Sequence, residues 1–236
     1  MSTLTKAIRF HFINLFNMQL IVAVAVLLFH LLLSITIINL VVIKGTAGSN
    51  DIIVMVWVFV LGLVIFTPSF KYLLSQGMSR RRFFLALSVS MALLAAAFAV
   101  LSTIFYAISL KVAKVMMIYD FIYPNHNIFS VLVWEFAVLL FLGMLGWFIR
   151  MVYYQSDRKT KFIVTFAPFV AVSLLIFFNA LADGRIGRGV WEFLKVVMGL
   201  TMTSPNPYIG MASMIAGAVV IGGPIYLLLR RAQIKD

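Results

Sequence analysis

Cysteine is absent from this sequence and acid is scarce: seven Asp and Glu stand against nineteen Lys and Arg, with three histidines, in 236 residues. The first absence excludes disulfides and thiolate metal sites. The second leaves little material for a metal centre or an acid–base site. Charged residues make up only 11% of the chain and hydrophobic ones 64%, at a mean hydropathy of +1.10. A soluble domain of this length needs far more polar surface to cover its core, so the bilayer is the expected solvent. No G-x-x-x-x-G-K-[ST] occurs, so the chain holds no P-loop for ATP. No H-E-x-x-H, G-x-S-x-G or paired intramembrane carboxylates appear either, which argues against a membrane protease, lipase or phosphatase. No covalent chemistry is expected of this chain.

What is present is apolar runs. About 20 helical residues cross the hydrocarbon core, and six stretches qualify: Leu20–Ile43, Ile52–Phe70, Phe83–Ile108, Phe129–Tyr153, Phe162–Ala182 and Tyr208–Leu229. The second is the shortest and carries Pro68 near its end. The alternation expected of a barrel strand is missing. The expected fold is therefore an all-α integral membrane domain of six transmembrane helices over residues 1–236. The first run is 24 residues, longer than the apolar region of a signal peptide, so no cleavable leader is expected.

Charge sets the orientation. Thirteen of the nineteen Lys and Arg (Lys6, Arg9, Lys71, Arg80–Arg82, Arg150, Arg158, Lys159, Lys161, Arg230, Arg231 and Lys235) fall on one side of these spans. The other side holds six, together with five of the seven acids: Asp51, Asp120, Glu135, Asp183 and Glu192. The positive-inside rule places both termini and the Arg80 loop in the cytoplasm. The formal charge of +12 thus expresses topology and not nucleic-acid binding. The localisation expected is the cell membrane, multi-pass.

Three polar islands carry the remaining signals. Residues 3–18, "TLTKAIRFHFINLFNM", are too short to span; wound as a helix they place Leu4, Ile8, Phe12, Leu15 and Phe16 on one stripe, away from Lys6 and Arg9. That suits an interfacial helix, either a plain anchor or a lever on the first span. "SFKYLLSQGMSRRRFF", with its cytoplasmic loop at 71–82, sets a glycine break between polar residues and three arginines. It is either a stop signal whose arginines snorkel to phosphates or a compact plug for a groove on a soluble protein. The outer stretch 183–206 contains Val190–Leu200, semi-apolar but too short to span, which fits an interfacial or re-entrant helix. Ionisable groups within the spans are few: His30 and Glu135, each open to a structural or a functional role. Small-residue strings such as "GMASMIAGAVVIGG" predict close helix packing.

An amphipathic N-terminal helix, six spans and "LSQGMSRRRFF" between spans two and three resemble the ABC-2 type permeases. The resemblance covers most of the chain by topology. It is nearest to the small six-span permeases of Gram-positive bacteria, in which a "GxSR+xF"-like stretch follows the second span and which include bacteriocin, bacitracin-type and phenol-soluble-modulin exporters. It implies that residues 3–18, with Lys6, Arg9, Phe12 and Phe16, form the connector helix. It also implies that Ser75, Gln76, Gly77, Met78, Ser79 and Arg80 dock on an ATP-binding cassette subunit, which would hold the ATP and Mg, this chain binding no cofactor itself. A re-entrant segment before the last span agrees with the family, and the permease works as a pair, identical or with a paralogue. Phe66, Phe166, Phe169, Phe177, Phe178 and Asn179 would then line an apolar path for a hydrophobic or amphiphilic cargo such as a peptide or antibiotic. Two other classes compete: a carrier driven by an ion gradient, with His30 and Glu135 titrating, and a non-transporting scaffold or immunity protein.

Overall fold

The computed structural model describes residues 51–75, 77–112, 117–123, 127–182, 184–200 and 205–232. The expected connector helix with Lys6, Arg9, Phe12 and Phe16, the first expected span with His30, and Gln76 lie outside the described residues. What is described is helical: α1 (Asp51–Ser75), α2 (Arg80–Val112), α3 (Ile118–Ile122), α4 (Ile128–Gln155), α5 (Arg158–Leu181), α6 (Arg185–Val197) and α7 (Pro207–Arg231). Four of these, α1, α2 (over Arg80–Ile108), α4 and α7, are long and apolar enough to cross a bilayer, which points to a multi-pass membrane protein. The fifth expected span falls on α5.

The helix ends follow local chemistry. Asn127 and Asn206 cap α4 and α7, each side chain accepting from a backbone N–H two residues on, of Phe129 and Tyr208 at 3.0 Å. Pro207, lacking an N–H, occupies the first helical position of α7, where that group has no intrahelical acceptor anyway. Pro68 does not end α1, which runs on to Ser75. Of the expected loop at 71–82, residues 71–75 belong to α1 and 80–82 to α2.

α4 is the centre of the bundle, packed on α1, α2 and α7. Glycines bring α1 and α4 together at the backbone. A Cβ on Gly62 would strike the Gly143 carbonyl, and one on Gly146 would strike the Phe59 carbonyl and lie 3.2 Å from the Gly62 Cα. Lipid tails are as apolar as leucine, so helices in a membrane gain by such close van der Waals contact rather than by hiding apolar surface from water. On either side of this seam, side chains interlock. Trp147 and Leu139 of α4 are fully buried, as are Phe66 and Phe70 of α1, Phe83 and Leu87 of α2, and Ile225 and Leu229 of α7. Phe66, Phe70, Phe83 and Tyr154 form one aromatic cluster with centroid separations of 4.9 to 6.0 Å. Among the described residues α5 is the long helix that packs least on the others, with Phe162, Ile163, Phe166, Ile176, Phe177 and Phe178 exposed.

α1, α4 and α7 run one way and α2 and α5 the other. One end gathers Arg80–Arg82, Arg150, Lys159, Lys161, Arg230 and Arg231, and the opposite end mixes Asp51, Asp120, Glu135 and Glu192 with Arg185, Arg188 and Lys195. The seam makes a direct expectation. Gly62→Val or Gly146→Val destabilises the detergent-solubilised chain by about 1–3 kcal/mol, the cost of overpacking, whereas Gly189→Ala in open space on α6 costs nothing and adds up to about 1 kcal/mol through helix propensity. Thermal unfolding of the three variants measures both.

Candidate functional site

At the basic end, α1 closes with a hydrogen-bonded cap. Met78 N–H donates to the Leu73 carbonyl at 3.1 Å, and Gly77 N–H donates to the Leu74 carbonyl at 2.9 Å. This pair is the Schellman arrangement, which needs a left-handed residue just past the helix, and Gly77 supplies it at φ = 77°. Met78 packs on the core beside Leu73, as the apolar contact of that motif requires. Ser79 then opens α2, its Oγ accepting from Arg82 N–H at 3.4 Å and its carbonyl from Phe83 N–H at 2.9 Å. Ser75 Oγ donates back to the Tyr72 carbonyl at 2.7 Å. The result is a rigid knob with Ser75, Gly77, Ser79, Arg81 and Arg82 exposed.

Arg80 is differently engaged. Its Nη1 donates to the Arg230 carbonyl in the last turn of α7, while Gln155 Nε2 donates to the Leu228 carbonyl just before it. The last carbonyls of a helix lack intrahelical partners and carry partial negative charge, so a cation there is favourable. Arg80 thus ties the turn to α7, a role not visible in its place in the expected docking stretch.

The expected cargo-path residues are not brought together. Phe66 is fully buried in the aromatic cluster and faces no open space. Phe166, Phe177 and Phe178 are exposed on α5, and the Phe169 side chain lies outside the described residues. Asn179 serves the start of α6 instead, its Oδ1 accepting from Gly187 N–H at 2.7 Å. It thereby caps the first turn of that helix, whose own N-cap, Gly184, has no side chain to do so. A separate apolar cavity of about 480 Å³ opens among α2, α4 and α7, lined by Phe84, Ser88, Leu140, Met144, Gly222 and Tyr226 among others. The signal was present in "VVIGG": Gly223 has nothing within 4 Å of a would-be Cβ, and Gly222 has only side-chain tips at 3.6 and 3.8 Å. These glycines leave room, whereas Gly210 and Gly217 of the same helix are closely packed, against Tyr123 and Phe141.

The opposite end holds an acidic network that sequence order hides. Glu135 and Asp51 are both fully buried and lie within electrostatic reach of one another. Glu135 Oε1 accepts from Ser102 Oγ at 3.2 Å, and Asp51 Oδ2 accepts from Ile118 N–H at 2.8 Å. Glu135 Oε2 and Asp51 Oδ1 have no hydrogen-bond partner among the described residues. Asp120 caps the start of α3, accepting from Tyr106 OH at 2.8 Å and from Met117 N–H at 2.9 Å. No three acids or histidines among the described residues converge as a metal site. Glu135 is visible in sequence as an acid inside an apolar run; Asp51, Asp120, Ser102 and Tyr106 come from separate segments and meet only in the fold.

Tyr123, just past α3, donates its OH to the Met198 carbonyl at 2.7 Å and so holds the end of α6. Burial pushes its hydroxyl up from the ordinary 10 to about 12. The unfolded chain loses this proton near pH 10 and the native one keeps it, so the native state binds more protons between pH 10 and 12. The contribution is complete below pH 10 and is lost as pH rises to 12. Denaturation of the detergent-solubilised chain across that range should show stability falling, and Tyr123→Phe should flatten the fall while costing about 1 kcal/mol at neutral pH through the lost hydrogen bond.

No protein-family model matches the chain, and neither a curated protein nor a solved structure is found to be similar to it.

Proposed function

We propose that this chain is the permease subunit of an ATP-driven ABC-type exporter. It works with a separate ATP-binding cassette subunit, which holds the ATP and Mg, and with a second permease copy or paralogue. The observation that carries this reading is the hydrogen-bonded turn at Gly77, Met78 and Ser79, with Gly77 and Ser79 exposed, between two long apolar helices. A partner pressing on that turn meets a backbone fixed at both flanks, so displacement passes to α1 and α2 without being absorbed in a loose loop. Through Arg80 and its bond to the Arg230 carbonyl it also reaches α7. The apolar cavity among α2, α4 and α7 borders the helices so coupled and suits a hydrophobic or amphiphilic cargo.

In this reading α5 is the fifth of six spans. Its exposed phenylalanines face the second permease copy or the cargo path, and the termini and the Gly77 turn are cytoplasmic. α6 then lies at the outer membrane surface. Its Ile186, Val190, Phe193 and Val197 fall on one face and Arg185, Arg188, Glu192 and Lys195 on the other, the pattern of an interfacial helix.

A second reading, a carrier driven by an ion gradient, is favoured by one observation: the buried Asp51 and Glu135, each with an unpartnered oxygen among the described residues, since intramembrane acids commonly mark ion pathways.

The test is affinity purification of the chain from its native membrane in mild detergent, with assay of ATPase activity. A stoichiometric ATP-binding subunit is expected. In the Gly77→Val, Arg80→Gln double variant its recovery and ATPase stimulation should fall while membrane insertion persists; normal coupling in that variant sinks the docking claim. Uptake or efflux in proteoliposomes without ATP, abolished by Glu135→Gln, would instead establish the carrier.

A further inference from the structure

A groove of about 560 Å³ runs between α1 and α4 toward the basic end, lined by Leu63, Val64, Thr67, Ile149, Arg150 and Tyr153. Its floor is aliphatic and its one charged residue is Arg150. The Nε of Arg150 donates to Thr67 Oγ1 at 2.9 Å, which leaves the two terminal nitrogens of the guanidinium directed elsewhere. No carboxylate pairs with Arg150 among the described residues. A second cation borders the lining: Lys161, at the start of α5, lies 5.3 Å from the centre of the Tyr153 ring. From this cationic mouth an apolar track leads along α1 toward the acidic end. Val64, Val60 and Val56 succeed one another at four-residue spacing and are 57%, 39% and 57% exposed, so they form one continuous ridge on the helix.

We propose that this groove binds one anionic phospholipid of the bilayer that the chain crosses, its phosphate on Arg150, Lys161 and Tyr153 and an acyl chain along Val64, Val60 and Val56. A guanidinium fixed by one hydrogen bond through Nε presents its remaining donors in a set plane, the geometry that matches phosphate. Arg150 lies five residues from the end of α4, about 7 Å along the axis, a depth at which a headgroup phosphate is reached without drawing charge into the hydrocarbon centre. Basic pockets between transmembrane helices are suited to anionic headgroups on general electrostatic grounds. A second copy of the chain would cover the valine ridge equally well but would bury the Arg150 guanidinium without a counter-charge. Charge complementarity therefore selects the lipid. The inference rests on the membrane-spanning fold and not on any transport role.

The experiment is native mass spectrometry of the full chain, delipidated in detergent and titrated with phosphatidylglycerol or phosphatidylcholine, with inorganic phosphate as a further arm. One phosphatidylglycerol is expected to remain bound in preference to phosphatidylcholine. Arg150→Gln should weaken it about tenfold, the loss expected for one charge-assisted hydrogen bond. Val64→Trp, which fills the acyl track and leaves the Arg150–Thr67 bond in place, should also weaken it and decides the matter if Arg150→Gln does not fold. Arg185→Gln on α6 should bind as the unaltered chain does. The proposal is overturned if Val64→Trp retains the lipid, if a folded Arg150→Gln binds it unchanged or if Arg185→Gln weakens binding as much. Displacement by millimolar phosphate, or a lipid-free dimer closing the groove, overturns it equally.

Discussion

The contact of α1 with α4 through Gly62, Gly143 and Gly146 is the constraint on which the bundle depends. In a bilayer the aliphatic surface of a helix gains little by leaving lipid for protein, so association relies on close packing and on polar contacts. The missing side chains of Gly62 and Gly146 allow the two backbones to touch, and that fixes the rotation of each helix about its axis. With the rotation set, Phe66 and Phe70 are directed into the Phe83–Tyr154 cluster, and Trp147 is sealed against Phe84. The outward face of α1, the valine ridge from Val56 to Val64, is left to whatever lies outside the bundle.

The two ends of the bundle are finished in different chemistry. At the basic end, side-chain donors meet helix carbonyls: Arg80 reaches the last turn of α7, and Gln155 reaches it from α4. These contacts close the bundle across three helices and leave the Gly77 turn rigid but exposed. At the acidic end, hydrogen bonds from Ser102, Tyr106, Met117 and Ile118 take up part of the oxygen complement of three carboxylates. Two oxygens remain unpartnered there among the described residues, in buried positions where burial of a charge is costly. One end is thus held by side-chain donors on helix carbonyls and the other by hydrogen bonds to buried carboxyl groups. The exporter reading draws on the first end and the carrier reading on the second.

Between these ends the interior is unevenly filled. Gly210 and Gly217 of α7 are close to their neighbours, whereas Gly222 and Gly223 border open space. A small residue in a membrane helix therefore serves either contact or vacancy, and only its neighbour decides which. Asn179 shows the same dependence: a polar residue near the end of an apolar run, it is used as a remote cap for α6 because Gly184 cannot cap it.

Apolar run length and the distribution of Lys and Arg were sufficient to determine, from sequence alone, that the chain is helical and membrane-bound and roughly where its helices lie. Both are local properties, set by hydrocarbon thickness and by the cost of moving charge through it. The break at Gly77 was equally legible, since a left-handed residue is demanded where one helix closes and another opens within a few residues. The partnership of Arg80 with α7, the burial of Phe66, the meeting of Asp51, Ser102 and Glu135, and the cationic groove at Arg150 were decided by the tertiary structure. Each depends on how helices distant in sequence are rotated against one another. That rotation is fixed by side-chain and backbone contact between them, a quantity that neither hydropathy nor spacing along one helix contains.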